Sequence, residues 1–338
     1  MAAVAMKELR LALVCYGGSS LAVYMHGVTK ELHRLVKGSA LLESENGAVA
    51  SASPSERVYA ALLEELAGGN PEQLRTRVVV DVIAGTSAGG INGVCLAKGL
   101  AHNLSVDGFR DLWFERGDID GLLAAPRWLP TRVLKGTWVA ARALKRAPLR
   151  GDLMARWIYD AFHQMDEKGS TPGSLATLMP ERHKLELFVT ATDFYGYARQ
   201  VPYADPNPIH DTRHRHLLAF RFGGDDGRDD FDRESNGALT FAARSTSCIP
   251  GIFPPVSFEA LEGWLGADRP VDFERLEKRF FRLYELAKFP AGLDVVRGRW
   301  RPRQQAVRPG DRRDPGAAPP TSRSTGGSST WSPTPASA

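Results

Sequence analysis

The chain predicts an α/β fold built on a mainly parallel central sheet, and three observations carry that expectation. Short apolar runs rich in Val, Ile and Leu recur at Leu9–Tyr16, Val78–Ala84 and Leu185–Ala191. Runs of that length without polar alternation suit strands buried on both faces. Stretches with helical spacing separate them, and glycine-rich turns join strand to helix at Gly17-Gly18 and at Gly85–Gly89.

Leu9–Tyr16 enters the first glycine turn, and Ala22–Val36 then places Val23, Val28, Leu32 and Leu35 at helical spacing. Gly38–Ser55 is small and polar and reads as a loop. Glu56–Leu66 is helical and closes at Ala67-Gly68-Gly69-Asn70-Pro71. Val78–Ala84 is β-branched and reads as a second buried strand, followed by the turn Gly85–Gly89 and an apolar helix from Gly90 to Leu100. Val106–Glu115 and Trp138–Phe162 read as helical, with breaks at Pro126, Pro130 and Pro148. Leu185–Ala191 is the third strand. Arg221–Asn236, crowded with Gly and Asp, reads as an exposed loop, and Leu239–Ser245 as a helix before the proline-held turn Cys248–Pro255.

At 338 residues with 43% hydrophobic and 24% charged side chains, the composition excludes disordered, collagenous and membrane-spanning classes. Cys15, Cys95 and Cys248 are too few for a disulfide framework and lie in apolar stretches, so a reducing, cytoplasmic setting is expected. No apolar run reaches the length of a bilayer-spanning helix, and no signal peptide is visible. The net charge of +4 belongs to one region: Phe289–Ala338 holds eight Arg, three Asp and eight of the 22 prolines, leaving 35 basic against 36 acidic residues upstream. That tail cannot bury enough apolar surface to offset its ordering entropy, and without interleaved aromatics it gives no support to nucleic-acid binding.

The strongest chemical signal is Gly85-Thr86-Ser87-Ala88-Gly89, a G-x-S-x-G between a β-branched strand and an apolar helix. In that setting a serine occupies a strained turn with its hydroxyl projecting from the sheet, beside the positive end of the helix. A glycine turn capped by serine is the bland alternative; the strand before it and the helix after it favour Ser87 as a nucleophile. Gly17, Gly18 and Ser19, before the first helix, would present backbone N–H groups unobstructed, as an oxyanion hole or a phosphate cradle requires. A plain tight turn fits that loop equally well, and its pairing with Ser87 favours the oxyanion role. His210, His214 and His216 alternate with Arg213 and Arg215 and read as a polar surface loop, where metal ligation is disfavoured by the cations. Arg244, Asp229 and Asp230 read as surface charges. Asp107-Gly108, Asp120-Gly121 and Asp226-Gly227 read as solvated turns. No metal or cofactor is expected.

These elements, in this order, resemble the patatin-like phospholipase family. Leu187–Asp193 is similar to that family's central strand, Ala242–Val256 to its S-x-x-I-P-x-x-F-P segment, and Phe280–Ala287 to larger bacterial members. The resemblance implies a three-layer α/β/α fold and a Ser–Asp dyad without histidine, in which the serine carries an acyl group that water removes. It implies a lipid ester substrate met at a membrane or micelle surface, and thus peripheral membrane contact. The family's G-G-G-x-[RK]-G loop falls on Gly17–Ala22, with Ser19, Leu21 and Ala22 as departures. Its D-G-[GA] aspartate, which should follow Phe253-Pro254-Pro255, is missing, since no Asp-Gly occurs after Gly227.

The sequence therefore divides into an acyl hydrolase domain at 9–287, incomplete at its C-terminal end, and an Arg/Pro/Gly/Ser-rich tail at 288–338. Leu293–Gly310 can be encoded by codons that, read one base later, give W-T-W-F-V-D-G-G-V-L-D-N-K-P-F-G-P. This points to a frameshift near Ala287–Leu293. Two alternatives stand beside the serine hydrolase: an α/β-hydrolase esterase using His210, His214 or His216 in a triad, and an inactive module that binds lipid or a protein partner.

Overall fold

A computed structural model describes residues 5–18, 21–43, 52–68, 74–113, 122–123, 147–170, 175–201, 209–269, 271–272 and 280. The tail at 288–338 with Leu293–Gly310, Asp120-Gly121, Ser19, residues 138–146 of the expected Trp138–Phe162 helix, and the Phe280–Ala287 stretch beyond Phe280 lie outside the described residues.

Strand β1 (Ala5–Cys15) leads to helix α1 (Ala22–Leu41), α2 (Pro54–Leu66) and β2 (Leu74–Gly85). Helix α3 (Ala88–His102) and the single turn α4 (Gly108–Asp111) follow, then α5 (Gly151–Lys168). Strands β3 (Lys184–Val201), β4 (Ile209–Gly223) and β5 (Arg228–Asp229) precede helices α6 (Asn236–Thr246) and α7 (Phe258–Leu265). The sheet order is β1-β2-β3-β4-β5. β1, β2 and β3 are parallel, and β4 and β5 return antiparallel at one edge. This is the mixed α/β architecture expected, with helices packed on the sheet.

Helix α3 is the centre of the molecule. All its residues from Ala88 to Ala101 are buried, as an apolar surface on every side demands. Its Ile91, Val94 and Leu96 belong to one core with Val78, Val80 and Ile83 of β2 and Leu185, Leu187 and Val189 of β3. The β1–β2 register slips between Leu11 and Ala12, where Leu11 pairs with Val80 and Ala12 with Val82. Asp81 is left over at that bulge and accepts from Arg10 Nε at 2.7 Å. α2 starts on a capping box, in which Ser53 Oγ accepts from Glu56 N and Glu56 returns the bond to Ser53 N, with Pro54 in the first turn.

Several expectations need correction. α1 continues through Gly38 and Ser39 to Leu41, because Gly38 lets α2 approach and Ser39 Oγ satisfies Val78 N at 3.0 Å. Of Val106–Glu115, Phe114 and Glu115 lie outside the described residues, and of the described part only Gly108–Asp111 is α-helical. The stretch holding His210, His214 and His216 is strand β4, not a loop. Its outer half pairs with β3 beyond the core, so ladder bonds are satisfied while Asp211–Arg215 stay in solvent and no apolar alternation marks that half. Arg221–Asn236 is likewise not an exposed loop: Asp230, Phe231, Ser235 and Asn236 are buried. Asp230 Oδ2 accepts from Arg221 N at 2.7 Å and Arg228 Nε at 2.9 Å, and Asp229 pairs with His102. Lys98, wholly buried in α3, holds this region by reaching Asp166 and the carbonyl of Phe231, each at 2.8 Å.

Candidate active site

β2 ends at Gly85 and α3 begins at Ala88, so two residues, Thr86 and Ser87, make the whole turn. Thr86 N donates to Cys15 O at 3.1 Å and ties the turn to β1. Ser87 has φ 53° and ψ −129°, a backbone region that non-glycine residues rarely occupy. Strain of this kind persists only where neighbours over-determine it. Ser87 N donates to Thr246 Oγ1 at 2.7 Å, and Ser87 O accepts from Ile91 N at 3.1 Å as the first bond of α3.

The flanking small residues follow from packing. A Cβ on Gly89 would stand 2.3 Å from Cys15 O, and one on Gly85 would stand 2.7 Å from Gly89 O. Both distances are impossible for real side chains, so only glycine lets β1, β2 and α3 meet here. Ala88 is buried between them.

Gly17 lies directly against Ser87. A Cβ there would be 2.8 Å from Ser87 Cβ and 3.5 Å from Ser87 Oγ. Gly18 has φ 152° and accepts from Leu21 N at 3.2 Å, which closes the loop into α1. Asn92, buried in α3, donates to Ala22 O and Ala88 O, each at 3.1 Å, and so fixes the start of α1 against the start of α3. Gly17, Gly18, Gly85, Thr86, Ala88 and Gly89 are thus brought to one place around Ser87, while Ser19 lies outside the described residues.

Sequence reasoning missed Thr246 and misjudged Arg244. Thr246 closes α6 and packs its Cγ2 where a Cβ on Gly90 would come within 2.6 Å, as well as accepting from Ser87 N. Arg244 is fully buried rather than a surface charge. Its guanidinium donates to Pro254 O at 2.9 Å, Gly151 O at 3.3 Å and Cys248 Sγ at 3.0 Å, and lies 4.8 Å from the Phe253 ring centre. Burial pulls its pKa down, opposed by Cys248 and Asp152. The only signal for Asn92 was a polar residue inside an apolar helix.

The histidines sit apart in role. His214 is exposed, with Nδ1 2.9 Å from Asp193 O. His216 is half-buried on the face of β4 that continues into buried Leu218 and Phe220, and burial lowers its pKa. The His210 side chain lies outside the described residues. Among the described residues, no side chain hydrogen-bonds the Ser87 hydroxyl.

The Patatin-like phospholipase family model matches residues 13–273. Over 259 residues the chain is 29% identical to an uncharacterized membrane protein of Mycobacterium tuberculosis, an alignment covering 74% of this chain and 21% of the relative. The chain thus spans about a fifth of that relative's length. No solved structure matches. Among the described residues, no helix is long and apolar enough to cross a membrane. With a match that begins in β1 and takes in both the Gly17–Gly18 loop and the Ser87 turn, the chain belongs to the patatin-like phospholipase family.

Proposed function

We propose that the chain is a serine acyl hydrolase acting on lipid esters of the phospholipid or acylglycerol type. The observation that carries the reading is the backbone of Ser87, a non-glycine residue held at φ 53° with Gly17 packed against its side chain. Ser87 Oγ attacks the ester carbonyl carbon and gives up its proton to a base. The tetrahedral oxyanion is met by N–H groups of Gly17, Gly18 and Ser19 and by the positive end of α3. The C–O bond breaks, the alcohol leaves with the proton, and water releases the acid from the acyl-serine. No metal or cofactor enters this scheme.

The missing part is the base. The aspartate that the family resemblance calls for is absent after Gly227. That observation favours, as a second reading, a domain that binds lipid without turning it over. A positioned base contributes on the order of 100- to 10,000-fold, so this chain is expected to be phosphonylated at Ser87 by a fluorophosphonate, with loss of fluoride, yet hydrolyse esters slowly. A version read one base later near Ala287–Leu293, carrying V-D-G-G, is expected to hydrolyse p-nitrophenyl and phospholipid esters faster by that margin. Labelling that persists in Ser87→Ala removes the hydrolase reading. Equal turnover by both versions, lost in each on Ser87→Ala, shows that a base upstream of Phe289 suffices. Dependence of labelling on His210, His214 or His216 shifts the assignment to a triad.

A further inference from the structure

The N-terminal half of helix α1 is inverted. The helix buries His26, Thr29 and His33 against the rest of the molecule and turns Leu21, Tyr24 and Val28 outward, three apolar residues at i, i+3 and i+7 from its N-cap. Tyr24 is 69% exposed and Leu21 50%. Tyr16, at the end of β1, is 76% exposed, and Ile249 and Ile252 are exposed on the turn that follows Thr246. These side chains border the Ser87 site through three links already described: Gly17 against Ser87, Leu21 N on Gly18 O, and Ser87 N on Thr246 Oγ1.

The border carries no formal charge. Tyr16–Thr29 and Ser245–Ser257 contain no Asp, Glu, Lys or Arg. The first cations along α1 are already matched, Lys30 with Asp107, Arg34 with Glu31 and Lys37 with Glu56. Among the described residues of this border an anionic partner therefore finds no free cation, whereas a neutral apolar surface meets little desolvation cost. Two exposed tyrosines suit the boundary between acyl chains and headgroups, where a ring is buried and its hydroxyl stays wet. A protein seated on the same ring would cover the serine it surrounds, while a lipid layer would present esters to it.

We propose that Tyr16, Leu21, Tyr24, Val28, Ile249 and Ile252 form the seat by which this chain rests on a neutral or zwitterionic lipid surface with Ser87 facing the lipid. This deepens the acyl hydrolase reading and rests on it for the orientation of the site.

The test is flotation of the full chain with phosphatidylcholine vesicles and with vesicles containing phosphatidylserine, comparing wild type with Tyr24→Asp/Val28→Asp. Neither residue belongs to the Ser87 machinery, so fluorophosphonate labelling in solution should be unchanged. The expected result is flotation on phosphatidylcholine, little altered by phosphatidylserine, and a bound fraction about tenfold lower in the double variant. A parallel variant, Leu62→Asp/Leu66→Asp on the exposed stripe of α2, should float like wild type. Failure of wild type to float, flotation only with phosphatidylserine, or loss in the α2 variant but not the α1 variant overturns the proposal. So does a dimer in sedimentation that Tyr24→Asp/Val28→Asp dissolves without affecting flotation, because the face is then a contact between copies. Loss of Ser87 labelling with intact, α1-dependent flotation sinks the hydrolase reading and leaves the seat standing.

Discussion

The backbone N–H of Ser87 donates to the hydroxyl of Thr246 at 2.7 Å, a contact between residues 159 apart in sequence. It joins the turn after β2 to the last residue of α6 and shares with the first bond of α3 the work of holding Ser87 at positive φ. Thr246→Val keeps the methyl that packs at Gly90 but removes the acceptor. An N–H left without its partner costs about 1–3 kcal/mol, enough to let the strained turn relax. Fluorophosphonate labelling of Ser87 should slow about 10- to 100-fold in Thr246→Val and hold near wild type in Thr246→Ser. Equal rates in all three would show that the turn is fixed without this hydroxyl.

The loop facing Ser87 makes a second demand. Gly17→Ala places a Cβ 2.8 Å from Ser87 Cβ, with neither partner on a flexible arm, so loop or serine must move. Gly18→Val forces a branched residue to φ 152° beside Leu21. Each change should displace backbone donors by tenths of an ångström and cost roughly 3 kcal/mol in acylation, while leaving the core behind the loop and the thermal midpoint little changed. Labelling at the wild-type rate in both variants would place the oxyanion donors elsewhere.

Much of this was legible because it is local. Strand β2, the glycines around Ser87 and the apolar helix α3 follow each other within 30 residues, and each glycine reports a close approach that the turn itself imposes. β4 was not legible. Its outer half carries Arg213, His214 and Arg215 because pairing with β3 satisfies its backbone while Asp211–Arg215 stay wet, so no pattern of burial marks that half. Arg244 and Asp230 were misread for the converse reason. A charge in a polar stretch looks solvated until the fold supplies its partners, here the carbonyls of Pro254 and Gly151 for one and Arg228 with the Arg221 backbone for the other. Thr246 needed the tertiary fold outright.

Acid sensitivity follows from the histidines that helix α1 buries. His33 is buried, and desolvation first, then Lys37, pull its pKa from 6.5 to about 4, against smaller opposing effects of the Gly99 backbone, Glu56 and Asp107. Its folded pKa lies below its unfolded one, so between about pH 6.5 and 4 the unfolded chain binds a proton that the folded chain refuses. Stability is full above this window and falls as pH drops through it, by on the order of 3 kcal/mol from this residue. His26, also shifted down by burial, acts in the same direction. The urea midpoint should fall between pH 7 and pH 5, and His33→Gln should flatten that slope. A slope unchanged in His33→Gln would assign the acid sensitivity to other groups.

Arg244 poses the sharpest question about what holds the site, because a buried cation is costly unless every donor is used. Here the guanidinium reaches the carbonyls of Gly151 and Pro254 and the Cys248 sulfur, with Phe253 and Trp264 rings 4.8 and 5.7 Å away. It therefore ties the end of α6 to the start of α5 and to the turn before α7, two residues from Thr246. Arg244→Met fills similar volume and removes the buried charge, which would favour the variant. It also removes the guanidinium bonds to Gly151 O and Pro254 O, of which Pro254 O keeps only the 3.4 Å contact from Cys248 Sγ, and loosens the Pro250–Pro255 turn. Hydrogen bonds from a charged donor contribute about 1.5–3 kcal/mol each, so loss should outweigh relief and the melting midpoint should drop by several degrees. Arg244→Lys should not restore it, since a single ammonium cannot span carbonyls that a planar fork reaches together. Ser87 labelling should slow in both variants as Thr246 loses its support. If Arg244→Met melts at or above the wild-type temperature and labels at the wild-type rate, the aromatic and apolar packing of Phe253 and Trp264 holds this corner, and the guanidinium does not.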